Sequence, residues 1–250
     1  MGGLARRVAF IKKIKAEAPN VVLVDTGDSL AFWPELRPLQ MGMAQRKAAA
    51  LAKVYHYLGY EAVGIGRRDL GLGAKELKRL SREVPLISSN LKTRDFTPLK
   101  EKVVEVAGVR IGIFALTAPI QKTGFAMEDP LTAAEKSVSR LREQGADLVI
   151  CLSNLGEEGD EDLAEDIRGI DLILGSGPGP RLYKPEEIDG VFIFRPHPKG
   201  KSVGVITLTF NQGRLEAISH QLYLLEADKY PEDAETAIWL KEQGLLPQGY

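Results

Sequence analysis

The sequence is short of the residues that usually mark chemistry. It has one cysteine, Cys151, in 250 residues, so no disulfide can close within the chain and the redox compartment stays open. That cysteine lies in the apolar run LVICL at 148–152, where a thiol buried in a strand is the expectation. Histidine is scarce too. His56, His197 and His220 are scattered, and His56 and His220 fall in a helical and a strand pattern. G-x-S-x-G, Walker A and zinc-ligand spacings are all missing.

Excess charge of either sign is missing as well. A net charge of −1 provides no field to steer polyanions or anionic lipid, so neither nucleic acid nor a membrane is an expected partner. No stretch approaches the ~18 apolar residues of a membrane span. The N-terminal MGGLARRVAFIKKIKAEAP is basic but has no apolar h-region and no cleavage signal. It reads as an amphipathic helix. With Met1 as the start the expected location is the cytoplasm, whereas a native start further upstream would make it extracytoplasmic.

What is present is ordinary for a chain with a full core: 44% hydrophobic and 27% charged residues. Helical and strand patterns alternate through short connections. Leu4 to Ala18, Met43 to Leu58, Ala74 to Glu83 and a helix opening at Asp129-Pro130 are helical. VVLVD (21–25), AVGI (62–65), PLISS (85–89), DLVICLS (147–153), DLILG (171–175) and VFIFRP read as strands. VVEVAGVRIGIFAL (103–116) is a hairpin, and so is the segment around Asn211-Gln212-Gly213. The expected class is α/β, with residues 1–225 as one domain and 226–250 as a helical tail.

Polar residues follow most of these strands, and in such folds they gather at one sheet edge. They are Asp25 and Asp28, Arg67 to Asp69, Ser88 to Asn90, Thr117, Ser153 and Asn154, Ser176 to Gly179, and Arg195 and His197. Singly, each is a residue that caps a turn or a helix. The segment LGYEAVGIGRRDLGLG (58–73) is the sharpest case, because two arginines and an aspartate follow a strand and a glycine directly.

The order and spacing of these segments resemble the N-terminal domain of the 5′-nucleotidase family, within the calcineurin-like metallophosphoesterases. GGLARRVAFIKKIKAEAPNVVLVDTGDSL is similar to the stretch leading into that family's Gly-Asp metal motif. LGYEAVGIGRRDLGLG is similar to its Gly-Tyr-Asp-Ala … Gly-Asn-His-Glu-Phe-Asp-x-Gly segment. PLISSNL, VRIGIFALT, ADLVICLSNLG, GIDLILGSGPGP and KGKSVGVITL fall in order where the family has counterparts, to about Leu225. The resemblance implies a four-layer α-β-β-α sandwich with mixed sheets. The Asp-x-His segment that would precede GGLAR has no counterpart, so the first strand is expected to be lacking.

Residue by residue, the resemblance implies that Asp28 is the bridging metal carboxylate, and the one ligand kept. Arg67 stands where the family has its asparagine ligand. Arg68 stands for the histidine that supports the leaving group, and Asp69 is a shortened counterpart of the glutamate. Asn154 replaces another histidine, and Gly177 and Gly179 replace both histidines of Gly-His-x-His. A pair of dications needs several anionic or imidazole donors within ~2.0–2.6 Å. The expectation is therefore a kept scaffold without its metal pair. It has no cofactor and no catalytic residue, and it serves as a binding or assembly module.

Arg67, Arg68 and Ser176 are the expected site for a phosphate or nucleotide-like anion. Pairing of the arginines with Asp25, Asp28 or Asp69 is the competing expectation. Two other readings stand beside it. One is an active metal-dependent phosphohydrolase, completed with its divalent pair by an upstream segment or a partner chain. The other is a purely structural domain.

Overall fold

The computed structural model describes residues 2–211 and 213–245. In chain order the elements are α1 (Leu4–Glu17), β1 (Leu23–Asp25), α2 (Pro38–Leu58), β2 (Tyr60–Gly64), α3 (Ala74–Leu80), β3 (Leu86–Ile87), β4 (Leu91–Thr93), β5 (Glu101–Val106), β6 (Val109–Leu116) and β7 (Phe125–Met127). They continue with α4 (Pro130–Glu143), β8 (Leu148–Ser153), α5 (Glu157–Asp166), β9 (Leu172–Gly175), β10 (Glu186–Ile188), β11 (Val191–Phe194), β12 (Ser202–Asn211), β13 (Arg214–Leu224) and α6 (Ala234–Glu242).

Two main sheets stack between helices. One is parallel, in the order β1-β2-β3; the other has six strands in the order β10-β11-β9-β8-β6-β5. The β12-β13 hairpin and the short β4-β7 pair complete the strands. Ala62 and Ile87 of the first sheet meet Ile113, Ile150 and Leu152 of the second in a shared apolar layer. α2 and α3 cover the outer face of the first sheet through Ala48, Ala52, Tyr55, Leu77 and Leu80. α4 and α5 cover the second through Ala134, Val138, Leu141, Leu163 and Ala164. This is the α-β-β-α order expected from the sequence.

Local chemistry explains several boundaries. Asp129 accepts from Thr132 N–H and Pro130 takes the first helical position, so α4 starts there. Ala107 and Gly108 both have positive φ, 51° and 79°, the geometry that closes a tight hairpin between β5 and β6. α2 starts five residues before the apolar stripe shows it, at Pro38, where Arg37 N–H donates to Gln40 Oε1 at 3.0 Å and Gln40 N–H to Arg37 O at 2.8 Å. Its first two turns are largely exposed, so no periodicity marked them.

The run VVLVD, read as a buried strand, is only half-buried. The reason is position: β1 is an edge strand that pairs with β2 alone among the described residues. The central residue of the last hairpin's turn, Gln212, and the end of the tail, 246–250, lie outside the described residues.

The tail is tied to the body. Asp233 receives Thr236 N–H at 2.9 Å and Lys12 Nζ at 2.6 Å, and its own N–H reaches Ala5 O at 3.1 Å. Trp239 packs on Val8, Ile11 and Leu58. Asp233→Ala removes a helix cap and an ion pair together. A loss of about 1–2 kcal/mol is expected in a urea melt. Lys12→Ala, which leaves the cap, should cost less than about 1 kcal/mol. Equal effects would show that the cap adds nothing.

Candidate functional site at the strand ends

Parallel strands deliver their carboxyl ends to one edge, and the strand-end polar residues meet there. β1 leads through Asp25 and Gly27 into Asp28, which sits in the left-handed region at φ 58°. Aspartate tolerates that region better than most residues. β2 leads through Ile65 and Gly66 into Arg67, Arg68 and Asp69. A Cβ at Gly66 would collide with the backbone and carboxylate of Asp28, so glycine is what lets the two loops touch.

Asp69 is the bracket that holds them. Its side chain is fully buried. Oδ2 accepts N–H groups from Asp28 (2.8 Å) and Gly66 (2.9 Å), and Oδ1 accepts from Leu30 (2.8 Å) and Ala31 (3.0 Å). Burial pushes its carboxyl up to about 8, the Asp28 charge adds to the rise, and the Gly66 and Ala31 N–H groups oppose it. With two donors on each oxygen, the anion is the form that the backbone is arranged to receive.

Asp28 turns the other way. Its Oδ1 accepts Arg68 N–H at 2.6 Å, and its Oδ2 lies 3.7 Å from the Arg68 guanidinium Nε. Asp25 is engaged elsewhere, accepting Gly27 N–H at 3.0 Å and the Tyr55 hydroxyl at 2.7 Å. Arg67 is exposed, and its guanidinium enters no ion pair among the described residues. Of the three carboxylates beside the arginines, only Asp28 pairs with one of them.

The second sheet supplies the opposite wall. Asn154, after β8, accepts Arg67 N–H at 2.7 Å and donates to the Ser176 hydroxyl at 3.0 Å. That hydroxyl in turn faces the carbonyls of Thr26 and Ser153, each at 3.0 Å. Asn154 and Ser176 thus stitch the two sheets together. Asp28, Arg67, Arg68, Asn154, Gly177 and Pro178 all line a cavity of about 330 Å³. Ser176 and Gly179 stand behind that wall. Ser88, Asn90 and Thr117 form a separate buried network, with Thr117 Oγ1 donating to Ile65 O at 2.6 Å.

The glycines of the second wall have a conformational reason. Gly177 and Gly179 have φ of 95° and 135°. A Cβ at Gly177 would stand 2.9 Å from Asn154 O, and one at Gly179 would stand 2.9 Å from Glu157 Cβ. Behind them lies a feature that strand-end reading did not find, a buried ion pair between Asp160 and Arg195. Its traces in the sequence are Arg195, one of the strand-end polar residues, and Gly175, where a Cβ would run into Asp160 Oδ2.

This geometry can be set beside known proteins. No family model matches the chain. It is 30% identical to rat 5′-nucleotidase over 201 residues, which is 73% of this chain and 33% of that protein. The crystal structure of the 5′-nucleotidase precursor from Thermus thermophilus superposes with a TM-score of 0.82 at 27% identity, over 97% of this chain and 53% of that one. The chain carries the N-terminal metallophosphoesterase domain of the 5′-nucleotidase family. The calcineurin-like phosphoesterase YfkN from Bacillus subtilis has the same fold, with a TM-score of 0.78 at 19% identity, over 97% of this chain and 88% of that one. This 5′-nucleotidase-type domain spans less than half the length of the curated relatives it matches.

Proposed function

We propose that this domain binds an anion without hydrolysing it, using guanidinium charge where its family uses metal charge. The observation that carries the reading is the charge left at the cavity. Arg68 is only loosely paired with Asp28 at 3.7 Å, and Arg67 beside it has no carboxylate partner among the described residues. Among the side chains that line the cavity one positive charge is therefore in excess, and a guanidinium presents a fixed fork of donors to phosphate oxygens. Ser176 contributes through Asn154, since its hydroxyl is occupied by carbonyls. The domain then serves as a binding or assembly module within a larger protein or with a partner chain.

The residues present do not fit the divalent pair that the family implies. Asp28, the retained carboxylate, already faces a guanidinium and an N–H group, and a dication there would meet the Arg68 charge. Positions 177 and 179 have backbone geometry that glycine accepts and histidine resists. Among the described residues, no three His, Cys, Asp or Glu side chains are placed to hold a metal ion together.

The open edge of β1 supports a second reading, an active phosphohydrolase completed by a strand supplied from elsewhere. Assay of a phosphate monoester and a nucleoside monophosphate with Mn²⁺, Zn²⁺, Mg²⁺ and Ca²⁺ separates the two. No turnover above background is expected, and chelator should leave the melting temperature unchanged. Metal-dependent turnover that vanishes in Asp28→Ala would favour the second reading over the first.

A further inference from the structure

The wall of the cavity formed by Gly177 and Pro178 has no regular secondary structure of its own. Something must hold it. The Asp160–Arg195 pair lies directly behind it, with side chains 0% and 3% exposed. Arg195 Nη2 donates to Asp160 Oδ2 at 2.7 Å, and Nη1 reaches Pro180 O at 3.3 Å. Leu182 N–H donates to Arg195 O at 2.9 Å, and Glu157 N–H donates to Pro178 O at 2.9 Å. The loop 176–182 is thus held from α5 and from the residue after β11.

The pair packs against two glycines, closely at Gly175. A Cβ at Gly179 would stand 3.4 Å from Arg195 Nη1, and one at Gly175 would collide with Asp160 Oδ2. The pair is also incompletely satisfied. Asp160 Oδ1 and Arg195 Nε are buried without a hydrogen-bond partner. A buried, part-satisfied pair is a poor source of stability, since two charges leave water for few bonds. Specific placement of a neighbouring segment is a better account of its presence.

We infer that Asp160 and Arg195 are positioning residues, whose ion pair fixes the 176–182 loop so that the arginine-lined cavity keeps its anion-binding shape. The inference rests on the anion-binding reading for its consequence, but not for its geometry. Neither residue lines the cavity. They act through Gly179 and Pro180 on Gly177 and Pro178.

The test removes both charges at once. Asp160→Asn/Arg195→Met leaves no uncompensated buried charge, so the fold should persist with a melting temperature within a few degrees of the parent. Two readouts are taken, inorganic phosphate affinity at low salt and amide hydrogen exchange. The amides of Ser176 and Leu182, which donate to Ser153 O and Arg195 O, and of Glu157, which donates to Pro178 O, should exchange at least tenfold faster, while those of α4 stay unchanged. Phosphate affinity should fall about tenfold. Unchanged exchange at Ser176, Leu182 and Glu157 in a folded variant would overturn the inference. Should the double variant not fold, Arg195→Lys carries the same test, because one ammonium nitrogen replaces the two guanidinium nitrogens that separately reach Asp160 and Pro180 O. If the parent binds no phosphate, the anion-binding reading fails, and the exchange measurement alone decides the positioning role.

Discussion

Asp69→Ala is expected to leave the domain largely unfolded at 37 °C. The carboxylate accepts N–H groups from Asp28, Leu30, Ala31 and Gly66, at 2.8–3.0 Å, in a fully buried position. Alanine would orphan all four. A buried donor left without a partner costs about 1–3 kcal/mol, and a whole domain has only about 5–15 kcal/mol to lose. Asparagine is expected to rescue little, because its amide turns two donors toward donors. The check is a thermal melt followed by circular dichroism. A melting temperature within a few degrees of the parent would mean that water reaches those amides, and that the Asp28 and Arg67 loops are not braced by Asp69.

Placing histidine at both positions of the glycine wall should damage the fold without creating a metal site. In Gly177→His/Gly179→His, each side chain enters a left-handed or neighbouring region at φ 95° and 135°. That costs about 1–2 kcal/mol per residue before any clash. The contacts at 2.9 Å with Asn154 O and Glu157 Cβ add to it. For a domain of this size each 1 kcal/mol lowers the melting temperature by about 2–4 °C, so a fall of ~5 °C or more is expected. Mn²⁺ and Zn²⁺ should not reverse it. Stabilisation of the double variant by either metal would show that the backbone returns readily to a ligating shape, and that only side chains separate this domain from a metal centre.

Much of the fold was legible in the sequence where short-range chemistry governs it. The Asp129-Pro130 start announced α4, and the pattern over 103–116 announced the first hairpin. The misreadings have physical causes. β4, β7 and β10 have three residues each, too few for a period to show. Pro38 to Met43 begins α2 while facing solvent, so no apolar face marked it. β1 has the composition of a buried strand but lies at a sheet edge, which pairing partners decide and local sequence does not.

The site divides in the same way. Convergence of Asp28, Arg67, Arg68, Asn154 and Gly177 was readable, because strand ends of parallel sheets share an edge. The inward turn of Ser176 was not, since it depends on Thr26 O, 150 positions away in the chain. Nor was the division of labour among the aspartates. Asp25 satisfies Tyr55, Asp69 satisfies backbone, and only Asp28 reaches an arginine. Asp160 and Arg195 were invisible as a pair, being 35 residues apart on different elements.

The arginine-for-metal exchange is decided by phosphate titration of the domain at low ionic strength, followed by amide chemical shifts, in parent and Arg67→Ala/Arg68→Ala. The parent is expected to bind at millimolar concentration, with shifts centred on Arg67, Arg68, Asn154 and Gly177. Binding should weaken steeply as salt is raised past the point where the screening length falls to about 8 Å. The double variant should not bind. Undiminished binding in the double variant, or no binding in the parent at low salt, would contradict the exchange of metal charge for arginine charge.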